Sequence, residues 1–364
     1  MGRDPGTGKQ IQRSFSGKTQ KEVREKMQAA AVAVNEGTYM EPSKMTLGQW
    51  LDVWAKDYLG SVKPFTVRAY SDQIKNHIKP ALGAVKLDAL NTHTIQSFYN
   101  SLGVGQNGKP GLSPKTVKNI HGVLHKALQQ AVAIGYIRFN PADSCTLPRT
   151  TKKELAPLDE EQSKAFLQAI QGQRYETLFT VTLFTGLREG EALGLTWDCV
   201  DFSKGTILVS KQLQREKKKN GAYIFAPLKN DKARTITPAP WVLQVLRTHR
   251  AKQAEQRLRA GPLWEDSGFV FTNELGRHLA IHTVYKDFKK AVAAIGRPDA
   301  RFHDLRHSYA VAAIRAGDDI KTVQGNLGHA TAAFTLDVYG HVTDQMKQAS
   351  AARMEGYIKE VLNL

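Results

Sequence analysis

The feature that most limits how this chain can fold is a stretch without periodicity, residues 140–157, between two regions of helical pattern. The stretch contains three prolines and several threonines and lysines. Proline interrupts a helix because it lacks the backbone N–H and clashes with the preceding turn. We interpret residues 148–157 as a linker, since domain boundaries fall in exposed segments of this composition. The chain is therefore expected to form separate units on either side of it.

The region before the linker, residues 43–147, carries helical signals throughout. Thr46 and Gln49 have the spacing of a capping box just ahead of an apolar run. Ser113 followed by Pro114 fits an N-cap and a proline at the first helical position. Apolar residues then recur at helical spacing up to Ala131. This pattern predicts a small helical bundle.

Residues 1–42 form a shorter region with a basic, glycine-rich start. Residues 2–16 fit a turn and one strand, and good helix formers follow from Thr19. One strand and one helix bury little apolar surface. We therefore expect residues 1–42 to be part of a small domain.

The region after the linker, residues 158–364, combines helices with a strand-rich insert. Asp159 and Gln162 again have capping-box spacing. Three short β-rich segments predict strands at 206–210, 223–226 and 234–237, with a hairpin turn over residues 227–232 between the last two. The fold class predicted for the chain is mainly α with a small antiparallel β-sheet.

The net charge of the chain indicates which classes of partner it is expected to bind. Lys and Arg number 51 against 34 acidic residues, for a formal net charge of +17 and a pI near 9.7. Such an excess favours a polyanion, with nucleic acid first and an anionic membrane surface second. No apolar run has the length of a membrane span or a signal peptide, and Cys145 and Cys199 form no CxxC. We expect a cytoplasmic protein without a disulfide framework or a zinc site.

Two short helical patterns carry candidate chemistry. Arg188 and Glu191 are three residues apart and so share a helix face, which by itself predicts no more than a surface salt bridge. His303 and Arg306 have the same spacing. An arginine offers a planar fork of donors to a phosphate, and a histidine moves protons near neutral pH. Alone, this second pair also fits an ordinary solvated helix face.

The order of these pieces is more informative than any one of them. TGLR-x-GEALGL contains Arg188, HDLRH contains His303 and Arg306, and LGHATAAFTLDVYGH places Tyr339 ten residues after His329. In this order the sequence resembles the tyrosine recombinase (phage integrase) family, as found in phages and conjugative transposons. The resemblance covers residues 158–341. The region 43–147 is similar to the family's helical core-binding (SAM-like) domain, and residues 1–42 to part of its arm-type DNA-binding domain.

The resemblance implies a catalytic domain over residues 158–364, ending in a tail helix, and a role for each matched residue. Tyr339 would attack the scissile phosphorus and form a 3′-phosphotyrosyl link. Arg188 and Arg306 would clamp the non-bridging oxygens and stabilise the transition state. Lys229, in the predicted hairpin turn between the Arg188 and His303 motifs, is matched as well and would protonate the departing 5′-oxygen.

The remaining matched residues would assist these groups. His303 would help proton transfer at the tyrosine, His329 would hydrogen-bond a phosphate oxygen, and Glu191 would orient His303 or Arg188. One phosphodiester is exchanged for another, so the resemblance implies neither ATP, metal nor other cofactor. It implies double-stranded DNA attachment sites as partner, a homotetramer on a Holliday junction, and accessory excisionase or host DNA-bending proteins.

Other functions fit parts of the sequence. A type IB topoisomerase shares the chemistry but acts as a monomer, and a DNA-binding regulator without catalysis explains the charge alone. A metal-dependent transposase needs a carboxylate triad, and none stands out. A zinc site from His303, His307 and His329 is disfavoured because Arg306 lies among them. The topoisomerase and the regulator remain the alternatives to the recombinase.

Overall fold

The computed structural model describes residues 14–35, 45–105, 110–151, 156–215, 222–228, 232–328 and 343–362. The chain divides into two compact units, Met1–Lys152 and Lys153–Leu364. Within the described ranges, no helix combines the length and the apolar character needed to cross a membrane.

Helices make up the described part of the first unit, as the sequence predicts. They are α1 Gln20–Asn35, α2 Leu47–Asp57, α3 Pro64–Gln73, α4 Lys79–Leu82, α5 Thr92–Gly103 and α6 Pro114–Ala133, with one π turn at Ile74–Ile78 and a 3-10 turn at Leu87–Ala89. The helix expected from Thr19 onward is α1. The strand expected within residues 2–16 lies almost entirely outside the described residues.

The two caps predicted for the first unit are present. The hydroxyl of Thr46 accepts from the backbone N–H of Gln49, whose side chain accepts from the N–H of Thr46 in return. The hydroxyl of Ser113 accepts from the N–H of Thr116 at 3.2 Å and so begins α6. Each cap satisfies a donor that the first helical turn would otherwise leave unpaired.

The core of this unit lies between α2 and α6. Trp50 is fully buried and donates its indole N–H to the carbonyl of Ala127 at 2.9 Å. One turn later, Trp54 stacks on Tyr70 of α3 with ring centroids 5.9 Å apart. Large aromatic side chains that also find a hydrogen-bond partner fix how helices pack.

The second unit contains eight described helices and a small β region. The helices are α7 Glu160–Ile170, α8 Glu176–Thr185, α9 Glu189–Leu193, α10 Pro240–Ala260, α11 Ile281–Ala294, α12 Phe302–Arg315, α13 Ile320–Leu327 and α14 Thr343–Leu362. Four phenylalanines from four of these helices form the centre of its core, with neighbouring ring centroids 5.5 to 6.1 Å apart: Phe166, Phe179, Phe288 and Phe302. They join α7, α8, α11 and α12 around one centre.

The β region has five described strands: β1 Val200–Asp201, β2 Thr206–Val209, β3 Lys211–Arg215, β4 Tyr223–Pro227 and β5 Arg234–Ile236. All pairings are antiparallel, in one sheet ordered β1-β2-β5 and another pairing β3 with β4. The small antiparallel β component of the predicted fold class is thereby confirmed.

The predicted pairing within this region is wrong. β4 and β5 were expected to form one hairpin, but β4 pairs with β3 and β5 pairs with β2. Ile236 of β5 lies opposite Ile207 of β2, and both are buried, so burial places β5 in the first sheet. β3 has a polar sequence in which only Leu213 is buried, and therefore its β character is weak in the sequence.

The last described helix, α14, lies in the region for which a tail helix was expected. Its apolar residues recur three and four residues apart, so they occupy one face. All five are exposed, by 41 to 61% of their surface. We call this face the tail stripe, formed by Met354, Tyr357, Ile358, Val361 and Leu362.

Candidate active site

The site begins where α8 ends. Gly186 closes the helix in the left-handed conformation, with φ +65°. A Cβ at this position would lie 2.4 Å from Cδ1 of Tyr309 on α12 and 2.7 Å from Cδ2 of Leu327 on α13. Only glycine suits both the backbone angle and the close packing. The turn brings Arg188 to the start of α9.

Glu191 is the centre of a buried ion pair network. Its side chain is 1% exposed, and its Oε1 accepts from Nη1 of Arg188 at 2.6 Å. Its Oε2 accepts from the backbone N–H of Arg188 at 3.0 Å. Arg234 of β5 adds a fork of two bonds, from Nη1 to Oε1 at 3.1 Å and from Nη2 to Oε2 at 2.7 Å. Each carboxylate oxygen therefore accepts two hydrogen bonds.

The charge of Glu191 is fixed by these partners. Burial alone would raise the pKa of its carboxyl group. The hydrogen bonds and charge of Arg234, followed by those of Arg188, outweigh burial and lower this pKa to about 2. Glu191 is thus ionised at neutral pH.

The carbonyl end of α13 is surrounded by three arginines, which we call the guanidinium cluster: Arg188, Arg234 and Arg306. Each donates to one of three successive backbone carbonyls. Arg234 Nε donates to Asn326 at 2.7 Å, Arg306 Nη2 to Leu327 at 2.5 Å and Arg188 Nη2 to Gly328 at 3.3 Å. The C-terminal carbonyls of a helix lack partners within it and attract positive charge. The cluster thereby fixes the residue that precedes His329.

Arg306 is the most deeply buried member of the cluster, with 1% of its surface exposed. Its Nη1 donates to the carbonyl of Gly186 at 2.8 Å, while its Nη2 reaches Leu327. Arg306 therefore connects the end of α8 with the end of α13. A buried guanidinium is tolerated where hydrogen bonds replace its hydration.

His303 lies one turn before Arg306 on α12. Partial burial and the charges of His307, Arg306 and Arg188 lower the pKa of His303 to about 4. Solvent still reaches this side chain, so the ring stays accessible and is neutral at pH 7. A neutral imidazole beside two arginines can accept a proton from a neighbouring donor.

Sequence comparison identifies the family to which this arrangement belongs. The phage integrase family profile matches residues 157–346, more than half of the 364-residue chain. The chain belongs to the phage integrase family. A second profile, the N-terminal SAM-like domain of phage integrases, matches residues 46–103 within the helical first unit.

Relatives of this phage integrase family member cover nearly its whole length. A tyrosine recombinase XerC-like protein of Caldanaerobacter subterraneus subsp. tengcongensis is 32% identical over 95% of this chain and 92% of its own. The Tn1549 transposon integrase, solved with transposon right end DNA, is 25% identical over 85% of this chain and 100% of its own, with a TM-score of 0.71. A lambda integrase tetramer on a Holliday junction shares the fold, at 21% identity over 91% and 92% of the chains and a TM-score of 0.59.

The structure brings together the predicted residues that it describes. Arg188 and Glu191 are in direct contact. The carbonyl of Gly328 accepts a hydrogen bond from Arg188, and the preceding carbonyl, that of Leu327, accepts one from Arg306. The electrostatic influence of Arg188 and Arg306 reaches His303. The other three predicted members of this phage integrase site lie outside the described residues: Lys229, His329 and Tyr339.

Sequence reasoning missed two members of the site. Arg234 begins the short strand β5, and its side chain is 10% exposed in the fold. The sequence around it gives no sign that this charged side chain is buried. Glu189 adjoins Arg188, and its Oε1 is buried without a hydrogen-bond partner in the described structure. Burial raises the pKa of Glu189 to about 7. Within the described ranges, no three His, Cys, Asp or Glu side chains are arranged to hold a metal ion.

Proposed function

We propose that this phage integrase family member is a site-specific DNA recombinase that integrates or excises a mobile element through a 3′-phosphotyrosyl intermediate at Tyr339. The observation that carries the proposal is the guanidinium cluster. It combines three arginines with one ionised carboxylate, Glu191. The resulting excess of positive charge, set beside a neutral His303, suits a phosphodiester in its transition state.

Charge stabilisation is the first requirement of the reaction. The pentavalent transition state carries more negative charge on its non-bridging oxygens than the phosphodiester does. Arg188, whose side chain is 22% exposed, is accessible to a bound phosphate. Arg306 supplies a second positive charge from a buried position, where a charge acts more strongly than in water. His329, immediately after Gly328, would donate a hydrogen bond to the same phosphate.

Proton transfer is the second requirement. The hydroxyl oxygen of Tyr339 attacks phosphorus, and neutral His303 assists removal of its proton. As the new P–O bond forms, the bond to the 5′-oxygen breaks, and Lys229 gives that oxygen a proton. A 5′-hydroxyl of the partner strand then reverses the steps and releases the tyrosine. Each phosphodiester broken is replaced by another, so neither ATP nor a metal ion is consumed or required.

The proposed partner is double-stranded DNA at attachment sites, bound by a homotetramer. The net charge of +17 supports binding to a polyanion. The Tn1549 and lambda integrases that share the fold were solved on DNA, the latter as a tetramer on a Holliday junction. An excisionase or a host DNA-bending protein would set the direction of reaction, in the cytoplasm of a bacterium.

The domains follow from the same proposal. Residues 1–42 would form part of an arm-type DNA-binding domain and residues 43–147 the core-binding domain. Residues 148–157 would form the linker, and residues 158–364 the catalytic domain with its tail helix. The division of the chain near residue 152 and the two family profiles support this assignment.

A nicked suicide substrate tests the proposal. The duplex is taken from the DNA flanking the gene, and the nick lets the cleaved end diffuse away, which traps protein on DNA in a denaturing gel. We expect the full chain to form this adduct in excess EDTA, and Tyr339→Phe to bind the duplex without forming it. Tyr285→Phe, at an exposed position on α11, is the matched control and should react normally. An adduct from Tyr339→Phe, or no adduct from the full chain, would refute the assignment.

A further inference from the structure

Arg234 is the one member of the guanidinium cluster without a role in the proposed reaction. Its side chain is 10% exposed, against 22% for Arg188. All three of its guanidinium nitrogens donate within the protein: two to Glu191 and Nε to the carbonyl of Asn326. It therefore has the contacts of a structural support for the site rather than of a phosphate ligand.

The backbone next to His329 is packed directly on Arg234. A Cβ built on Gly328 would lie 3.1 Å from both Cδ and Nη1 of the Arg234 side chain. Gly328 also has φ +63°, which favours glycine. Arg234 thus fixes both the carboxylate of Glu191 and the last turn of α13. In the sequence it follows the proposed general acid, Lys229, by five residues.

The charge balance of the cluster explains what this support achieves. If Glu191 were paired with Arg188 alone, its negative charge would largely cancel that of the guanidinium at the phosphate. Arg234 forms a bidentate pair with Glu191, the strongest geometry available to these groups. After burial, which raises the pKa of Glu191, Arg234 has the largest opposing effect, ahead of Arg188. Two side-chain nitrogens of Arg234 bind the carboxylate of Glu191, against one side-chain nitrogen of Arg188.

We propose that Arg234 is a positioning residue for recombination: it neutralises Glu191 so that Arg188 presents net positive charge to the scissile phosphate. Glu191 then orients Arg188 by hydrogen bonds without cancelling it. This inference rests on the proposed function, because it names what sustains the charge of the proposed phosphate clamp.

The test compares Arg234→Gln with the unaltered chain on two nicked substrates. One carries the normal scissile phosphodiester and the other a methylphosphonate, which lacks one negative charge. On the phosphodiester we expect adduct formation about 100-fold slower, as for a displaced catalytic group. On the methylphosphonate the variant should react at nearly the rate of the unaltered chain, because less charge needs stabilising. A variant damaged only in its folding would lose activity equally on both.

A matched control and a second background separate positioning from direct contact. Arg247→Gln removes an equal charge from an exposed arginine that donates to the carbonyl of Phe202, and it should show no such selectivity. In an Arg188→Ala background, Arg234→Gln should slow cleavage by no more than about twofold, since residues acting through one another are not additive. A full additional loss in that background would mean that Arg234 contacts the phosphate itself, and would overturn the proposal.

Two further measurements keep the outcome clear. If Arg234→Gln does not fold, Arg234→Lys retains the charge without the fork and should show a smaller loss with the same selectivity. Thermal unfolding of single and double variants measures the coupling of Glu191 to Arg234 and to Arg188 without any cleavage. A weaker coupling to Arg234 than to Arg188 would overturn the inference. If the unaltered chain forms no Tyr339 adduct, the proposed function fails, and the unfolding cycle still decides whether Arg234 holds Glu191.

Discussion

His303 and His307 stand one turn apart on α12, with ring centroids 4.9 Å apart and their planes nearly perpendicular. Burial is the main reason that the pKa of each falls to about 4, and the charge of Arg306 lowers both further. Both rings are therefore neutral over the physiological pH range. Of the two side chains, that of His303 is exposed to solvent and that of His307 is buried.

The pH dependence of cleavage follows from this neutral state. A base with a lowered pKa stays unprotonated until the pH falls to that value, so the rate of adduct formation should be level from about pH 8 to pH 6. It should decline toward the His303 pKa of about 4. Single-turnover rates on the nicked substrate measure this, with circular dichroism confirming that the chain stays folded. A decline centred near the unperturbed histidine pKa of about 6.5 would contradict the prediction.

Replacing Gly186 by alanine should destabilise the second unit strongly. The substitution combines a left-handed backbone with a Cβ 2.4 Å from Tyr309, so we expect a loss of roughly 3 kcal/mol in the free energy of unfolding. Gly172→Ala is the matched control, because its φ is +72° with no atom within 4 Å. It should cost only about 1 kcal/mol. Denaturant unfolding of both variants checks this, and equal losses would show that packing at Gly186 is not the cause.

The proposed role of Lys229 as general acid predicts a selective chemical recovery. Lys229→Ala should form the adduct slowly on normal DNA, because the 5′-oxygen departs without a proton. A substrate with sulfur at the bridging 5′ position has a better leaving group and should restore the rate. Lys232→Ala, three residues away, serves as the control for loss of a basic contact. An equal defect of Lys229→Ala on both substrates would mean that Lys229 contacts DNA but does not act as the general acid.

The tail stripe predicts a contact between protomers. Five apolar side chains remain exposed on α14, and burying such a stripe is favourable by about 25 cal/mol per Å² of apolar surface. Head-to-tail contacts of one kind close into a ring. We expect deletion of residues 350–364 to leave binding to a single site nearly intact while preventing the tetramer and altering cleavage.

Point variants refine that experiment. Ile358→Asp places a charge in the tail stripe and should reproduce the deletion in sizing of the DNA complex. Glu360→Ser, at an exposed position of α14 outside the tail stripe, should assemble normally. Tetramers of normal stability from Ile358→Asp would mean that the stripe has no part in assembly.

The signals that predicted this structure correctly are local in sequence. The capping pairs of α2 and α7 join residues three apart, and so does the contact between Arg188 and Glu191. Such pairs depend only on the geometry of one helical turn, which the sequence spacing determines. The order of the motifs then indicated the family, because one reaction requires the same residue types in each of its enzymes.

The features that the sequence did not predict are long-range. Arg234 reaches Glu191 across 43 residues, and nothing near Arg234 in the sequence indicates its partner. In the pairing of β5 with β2, Ile236 lies opposite Ile207, and both side chains are buried. Strand pairing is decided by burial on a shared face rather than by the strand's own residues. A polar strand such as β3 therefore cannot be predicted from its own residues, because its β structure depends on pairing with β4.

The contacts of the guanidinium cluster also determine the stage of synthesis at which the site can assemble. The contact from Arg188 to Gly328 closes a loop of 140 residues, and that from Arg306 to Gly186 closes one of 120. A chain emerging from the ribosome cannot make the contact to Gly186 before α12 has been synthesised, or the contact to Gly328 before α13 has been synthesised. We therefore expect incomplete chains to lack the assembled guanidinium cluster, and with it the proposed strand cleavage and rejoining.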